Sequence, residues 1–128
     1  MPANTPEEAH KLFSQYFEDE DLDGLISLYE PDAVMVPEPG KTLSGSLAIR
    51  DGLQAFISLK GKLKLNVQKV IEAGDIALVF STWTLNGTDP KGNAVALQGL
   101  TSDVLRLQND GTWLFVIDNP YGCIDIQR

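Results

Sequence analysis

At Lys62-Leu63-Lys64-Leu65-Asn66-Val67-Gln68 the hydrophobic pattern of the chain changes its period. Leucine and valine alternate here with polar residues, which is typical of a strand with one buried face. Before this stretch, apolar residues recur every three or four positions, as they do in amphipathic helices. After it, strand-like segments follow one another. Helices first and strands after favour an α+β fold over repeated βαβ units.

The segment before residue 62 is predicted to hold three helices and one short strand. Thr5 and Glu8 form a capping box at the start of the first helix. A second, short helix is predicted from Leu22 to Tyr29, where a proline two residues later stops it. The third helix is predicted to begin at Ser46, which can cap it. Residues 33–36 read as the short strand.

The segment after residue 62 is predicted to form four long strands. They start at Lys62 and then cover residues 75–86, 93–107 and 112–118. Gly99 is expected to bend the third of them. Asn109-Asp110-Gly111 is a hairpin signal before the last strand. Together these segments predict three helices packed on a curved, mainly antiparallel sheet.

Length, composition and charge limit the classes of function. The 128 residues are 43% hydrophobic, so we predict a single domain over 1–128 with its core at about 5–122. A net charge of −8 argues against nucleic acid as a partner. No apolar run reaches the ~20 residues of a membrane span, and the N-terminus lacks signal-peptide features. We therefore expect a cytoplasmic protein with no membrane partner.

The counts of metal-binding and nucleophilic residues are equally informative. One cysteine and one histidine argue against a multi-cysteine zinc site and against most histidine-based metal cages. We expect neither a metal nor a cofactor. His10 lies at the edge of the first helix's apolar stripe and is expected to face solvent. Carboxylates and hydroxyls are left as the chemistry available to a site.

Several motifs together resemble the nuclear transport factor 2-like superfamily, which includes ketosteroid isomerase and SnoaL-like polyketide cyclases. Asp21-Leu22-Asp23-Gly24-Leu25-Ile26-Ser27-Leu28-Tyr29, followed by Pro31-Asp32-Ala33-Val34, resembles its second-helix signature. The spacing to Ser44-Gly45-Ser46-Leu47-Ala48-Ile49-Arg50 fits the family, as does the hairpin Asp110-Gly111-Thr112-Trp113. The resemblance covers about residues 5–122.

The resemblance implies a cystatin-like cone, in which a bent sheet wraps over the first and third helices and encloses an apolar pocket. It also implies a homodimer formed through the outer face of the sheet. By alternation, Trp83 and Phe115 are assigned to that outer face, as anchors of the dimer. Packing of these two rings against a loop is the alternative.

The resemblance to ketosteroid isomerase implies a proton-shuttling carboxylate, with a tyrosine and a protonated aspartic acid that bind an oxyanion. Asp103 stands at the position of that aspartic acid; an exposed Asp103 paired with Arg106 or a lysine is the alternative. Phe13 occupies the tyrosine position. Pro37 occupies the position of the shuttling carboxylate, with Glu38 next to it. Ketosteroid isomerisation itself is therefore not expected.

A second member of the superfamily, limonene epoxide hydrolase, implies two inward aspartates bridged by an arginine. Asp103 and Asp118 can form such an acid pair, since alternation with Val116 and Pro120 assigns Asp118 to the pocket face. The arginine position is Thr101, so this activity does not transfer directly either. Without an arginine, two close carboxylates share a proton, and the ionised partner can still activate a water.

What remains is a predicted pocket with polar groups among apolar walls. As catalytic residues we predict Asp103 as acid or oxyanion donor and Asp118 or Glu38 as base. The other predicted pocket residues are Tyr16, Thr82 and Asn119 among the polar ones, and Leu12, Phe56, Leu78, Phe80 and Val116 among the apolar ones. For two of these there is an alternative: Tyr16 can be a tyrosine at the edge of the core, and Asn119 can simply end its strand.

This pocket predicts a cofactor-free isomerase, cyclase or hydratase acting on a small, mostly apolar carbonyl or hydroxyl compound. The alternative is a non-catalytic ligand-binding or assembly module of the same fold. Fold alone cannot choose between them, because one fold hosts many functions.

Overall fold

A computed structural model describes residues 3–122. The described chain contains three helices and seven strands, so the α+β class is confirmed. None of these helices combines the length and the apolar character needed to cross a membrane. The helices are α1 (Pro6–Glu18), α2 (Leu22–Ile26) and α3 (Ser46–Ile57); the strands are β1 (Tyr29–Glu38), β2 (Lys41–Ser44), β3 (Lys62–Ala73), β4 (Ile76–Thr88), β5 (Ala94–Leu100), β6 (Asp103–Leu107) and β7 (Trp113–Asp118).

The seven strands form one curved, open sheet, in which six follow the order β2-β1-β7-β6-β4-β3 and the seventh, β5, pairs with β4. All pairs are antiparallel except β1 with β7, which run parallel. β4 carries two partners along one edge: β6 along its first residues and β5 along its second half. This arrangement confirms the cone expected from the resemblance.

The core lies between the inner face of the sheet and the helices. Along β4 the buried residues alternate, and they include Ala77, Val79 and Trp83. α1 and α3 cover this face with apolar stripes that contain Phe17 and Leu53. Burial of such faces from water is the main force that holds helices against a sheet.

Several boundaries differ from those predicted from sequence. α2 stops at Ile26, and the chain has already entered β1 at Tyr29, which pairs with Phe115 of β7. α3 has Gly45 as its N-cap, with no side-chain capping bond, although Ser46 was expected in that role. The strand predicted over residues 93–107 is two strands, β5 and β6, which pair with different parts of β4. Between them, Thr101 donates its backbone N–H to the Ser81 carbonyl oxygen, and its hydroxyl accepts the Ser81 N–H.

Gly99 does not bend its strand. A β-carbon at this position would lie 2.5 Å from the Pro120 carbonyl oxygen and 2.7 Å from Nε1 of Trp83. The glycine instead allows β5 to approach the indole, whose Nε1–H donates to the same Pro120 oxygen at 2.6 Å. The missing side chain is a packing requirement.

The predicted assignment of β4 residues to the two faces is wrong. Trp83 is 6% exposed and lies on the inner face, whereas Leu78, Phe80 and Thr82 lie on the outer one. Apolar residues occur on both sides of β4, so alternation alone could not tell the faces apart. The helices decide which side is the core.

β7 contains an irregularity that alternation also missed. Val104 of β6 pairs with Ile117, but the next residue, Leu105, pairs with Phe115. One residue, Val116, is therefore skipped, as in a β-bulge. Because of this shift, Phe115 and Asp118 both point inward although they are three residues apart. Phe115, 2% exposed, is a core residue and not an outer-face anchor.

Candidate active site

A cavity of about 70 Å³ lies between the helices and the inner face of the sheet. Its walls are mostly apolar, with Phe13, Phe56 and Phe115 among them. Its polar lining comes from four side chains on α1, on the β5–β6 connection and on the two central strands. They are His10, Thr101, Asp103 and Asp118.

His10 is buried and does not face solvent as expected. It shares one side of α1 with Phe13 and Phe17, at the i, i+3 and i+7 spacing of a packed stripe. Its Nε2 lies 2.9 Å from Oδ2 of Asp103, and its Nδ1 lies 3.1 Å from the Pro6 carbonyl oxygen. A carbonyl oxygen only accepts, so Nδ1 carries a proton. The sequence signal that could have found this residue is that stripe.

Asp103 is 2% exposed and points into the cavity, as the resemblance implied. The alternative pairing with Arg106 does not occur, because Arg106 donates to Glu30 at 2.9 Å. Oδ2 of Asp103 faces His10, and its Oδ1 accepts the backbone N–H of Asn119 at 2.8 Å. Both oxygens are thus engaged by the protein.

Asp118 lines the same cavity, and its Oδ2 accepts a hydrogen bond from the Tyr29 hydroxyl. Burial raises the pKa of Asp118 to about 7, and the nearby Asp103 carboxylate adds to this effect. The Tyr29 hydrogen bond and the positive charge of His10 act in the opposite direction. Near neutral pH this carboxyl group is close to half ionised.

Two neighbouring groups have pKa values shifted by the same cluster. Burial lowers the pKa of His10, but the hydrogen bond and the charge of Asp103 outweigh this and leave it above 6.5. Burial and the Asp118 carboxylate raise the pKa of Tyr29 well above 10. Tyr29 therefore remains a neutral donor to Asp118 across the physiological range.

A buried polar cluster lies at one end of the apolar cavity. It consists of Tyr29, Asp118, Asp103 and His10. Sequence reasoning missed Tyr29, because it placed this residue at the end of a helix. As the first residue of β1, it lies beside β7 and next to Asp118. Such an arrangement can take up and release one proton near pH 7.

Most of the other predicted pocket residues lie outside the cavity. Asn119 contributes its backbone N–H to Asp103, and its side chain donates to the Gly122 carbonyl at 2.9 Å. Phe56 does line the cavity, as predicted. Glu38 is exposed and borders a separate surface cleft. The residues that do not line the cavity are Leu12, Tyr16, Leu78, Phe80, Thr82 and Val116.

Tyr16 packs instead against α2. A β-carbon on Gly24 would lie 2.6 Å from Cδ1 of the Tyr16 ring, which shows how closely the two helices approach. Within residues 3–122, no group of three or more histidine, cysteine, aspartate or glutamate side chains is placed to hold a metal ion.

Comparisons with known proteins agree with the fold. A model of the SnoaL-like domain matches residues 10–116. No curated protein matches the chain in sequence. The solved structures described next are 19–21% identical to the chain, and a likeness at that level shows the fold alone.

Three of these structures illustrate the range. A candidate calcium/calmodulin-dependent protein kinase type II association domain from Thiobacillus denitrificans is 19% identical over 99% of both chains, with a TM-score of 0.76. A ketosteroid isomerase-like protein from Erwinia carotovora atroseptica is 20% identical over 88% of both chains, with a TM-score of 0.71. A candidate dehydratase of the NTF2-like family from Streptomyces avermitilis is 21% identical over 88% of this chain and 89% of its own, with a TM-score of 0.70.

The family model covers most of the chain, and the cone and the helix order agree with it. The chain belongs to the SnoaL-like domain family, and it shares its fold with ketosteroid isomerase-like and NTF2-like proteins.

Proposed function

We propose that the cavity binds a small, mostly apolar carbonyl or hydroxyl compound, and that Asp118 transfers a proton to and from it without a cofactor. The reaction class is an isomerisation, a cyclisation or the addition or loss of water. The observation that carries this proposal is the position of Asp118 in the cavity wall with a pKa of about 7. General acid–base catalysis is most efficient when the catalytic pKa lies near the working pH.

The ionised Asp118 acts as the base. It takes a proton from the carbon beside a carbonyl group, and the C–H electron pair moves to form the enolate. The protonated Asp118 then returns that proton to another atom of the same molecule. Tyr29 holds the Asp118 carboxyl group in place through its hydrogen bond. No oxidant or reductant is needed, since no electrons leave the substrate.

Thr101, a hydroxyl in the cavity lining, is the group that we assign to stabilise the enolate oxygen. Its hydroxyl oxygen accepts the Ser81 N–H at 3.0 Å, which leaves the hydroxyl proton for a ligand oxygen. Asp103 was expected in this role, but its oxygens face His10 and Asn119. Asp103 and His10 instead set the charge around Asp118.

Exchange of substrate protons with solvent tests this proposal without a known substrate. Small cyclic ketones are incubated in D₂O, and loss of the protons beside the carbonyl is followed by NMR. We expect the protein to accelerate exchange, and Asp118→Asn to reduce the acceleration by at least ~10²-fold. The rate should rise as the pH passes through about 7, because the base must be ionised. Asp32→Asn, on the exposed part of β1, is the matched control.

An Asp118→Asn variant that exchanges as fast as the wild type would refute the role of Asp118. Exchange by the wild type no faster than in buffer, for all ketones that bind, would favour a non-catalytic binding protein.

A second candidate function, self-assembly, is favoured by the outer face of the sheet. Four aligned residues on four neighbouring strands form an apolar row across it: Ile71, Leu78, Val104 and Ile117. Ile71 is 44% exposed and Ile117 is 39% exposed. Large exposed apolar surfaces usually mark interaction sites.

We therefore propose a homodimer through this outer face, without Trp83 and Phe115. Analytical ultracentrifugation of the wild type should give a dimer. Ile117→Lys should shift it to a monomer, while Lys11→Glu, exposed on α1 on the other side of the sheet, should leave the dimer intact. A monomeric wild type at high concentration would exclude this dimer.

A further inference from the structure

The cavity is small for a ligand of the proposed class. At about 70 Å³ it has about half the ~150 Å³ of an apolar cavity known to hold benzene. A ring compound placed against Asp118 must therefore extend beyond the cavity. At least one side chain of the cavity wall must therefore move to make room for the ligand.

A surface cleft of about 530 Å³ lies on the other side of Phe56, which is one of the residues in the cavity wall. It runs between the β1–β2 hairpin and α3. The residues that line it include the apolar Leu43, Ala55 and Leu59 and the charged Glu38 and Asp51. Of these two spaces, the cleft is the one whose volume lies within the ~300–1,000 Å³ typical of ligand sites.

Phe56 lines both spaces. It lies near the end of α3 and is half-buried, whereas its neighbours on the packed face, Leu53 and Ile57, are 2% and 5% exposed. A half-buried ring in the last turn of a helix has more room to change rotamer than a fully packed one. Rotation of this ring away from the cavity would join the two spaces.

From this geometry, and resting on the proposed function, we propose that Phe56 is a specificity-determining residue. It separates an inner site, where the carbonyl or hydroxyl group meets Asp118, from an outer subsite in the cleft. The outer subsite takes an apolar tail of the same ligand. The preferred ligand is therefore an elongated, mostly apolar molecule whose reacting group is at one end.

Two probes that differ only in their tail test the proposal: phenol and 4-hexylphenol, with affinities measured by isothermal titration calorimetry. Ala55 is an exposed residue that lines the cleft and not the cavity, so Ala55→Trp fills the outer subsite without disturbing the fold. Gln54→Trp, exposed on the same helix but outside the cleft, is the matched control.

We expect the wild type to bind 4-hexylphenol at least about tenfold more tightly than phenol, since each buried methylene adds to affinity. Ala55→Trp should weaken the affinity for 4-hexylphenol by about tenfold. It should leave the affinity for phenol within a factor of about two of the wild-type value. Gln54→Trp should change neither. Phe56→Ala should tighten the binding of both phenols, because a ring placed against Asp118 needs the space that the Phe56 side chain occupies.

Equal binding of 4-hexylphenol by Ala55→Trp and by the wild type, with phenol still bound, would overturn the outer subsite and leave the proposed function standing. Failure of the wild type to bind either phenol would count against the proposed function as well.

Discussion

Replacing Asp118 by asparagine should change the way in which stability depends on pH. The pKa of Asp118 in the folded chain, about 7, lies above its ordinary value of 3.8. The folded state therefore holds a proton on this group over a range of pH in which the unfolded chain has lost it. That contribution to stability is complete below about pH 3.8 and is lost as the pH rises through about 7.

The magnitude follows from the two pKa values. Raising the pKa from 3.8 to about 7 corresponds to roughly 4 kcal/mol between the two protonation states. About 3 kcal/mol of this should develop between about pH 4.5 and about pH 8. Asparagine is neutral throughout and can still accept the Tyr29 hydroxyl. The free energy of unfolding of Asp118→Asn minus that of the wild type should therefore rise by about 3 kcal/mol over this range.

Urea unfolding of both proteins at a series of pH values measures this difference, with Trp83 and Trp113 as buried fluorescent reporters. Asp32→Asn, on an exposed carboxylate, should show a nearly constant difference. A difference between Asp118→Asn and the wild type that is flat within about 0.5 kcal/mol would show that Asp118 titrates as an exposed carboxyl group does.

Two further substitutions test the surroundings of the site. His10→Leu leaves Asp103 buried without its partner and should lower the free energy of unfolding by about 3 kcal/mol. Because the pKa of His10 is raised in the folded state, this loss of stability should be largest below pH 6.5 and should shrink as the pH rises. Urea unfolding of the variant and the wild type at two pH values measures the loss. A loss that does not depend on pH would contradict a charged pair between His10 and Asp103. Gly99→Ala forces a β-carbon against Trp83 and the carbonyl behind it and should cost about 1–3 kcal/mol. Thermal unfolding beside the exposed control Gln98→Ala checks this, and equal melting temperatures for the two variants would contradict it.

Most of the order of elements was predictable from sequence because it rests on local periodicity, although β2 (Lys41–Ser44) was not predicted. The change to a period of two at Lys62 places β3 where the structure has it. The capping box at Thr5 marks the start of α1, and the Thr5 hydroxyl does accept the backbone N–H of Glu8. These signals act within one element and need no knowledge of the packing.

The assignment of faces was not predictable in the same way. β4 offers apolar side chains on both sides, and only the helices packed against Val79 and Trp83 make one side the core. The bulge at Val116 has no local signal and brings Phe115 and Asp118 to one side. Both features depend on partners that are distant in sequence.

Only part of the site was predicted, because some of its residues are also positioned by partners that are distant in sequence. Asp103 was predicted at the cavity from the family resemblance and Asp118 from alternation along its strand, and the structure places both of them there. His10 was not recognised, because a single histidine at the edge of a stripe gives no sign of a partner 93 residues away. Tyr29 was missed because its strand pairing with β7 is also a long-range contact.

The central claim is that Asp118 changes its ionisation near neutral pH inside the cavity. Carbon-13 NMR of the aspartate carboxyl groups, with Asp118→Asn used to assign the resonance, measures this pKa directly. The account predicts a titration midpoint for Asp118 at about pH 7. A midpoint near the ordinary value of 3.8 would contradict it and would remove the basis for the proposed acid–base chemistry.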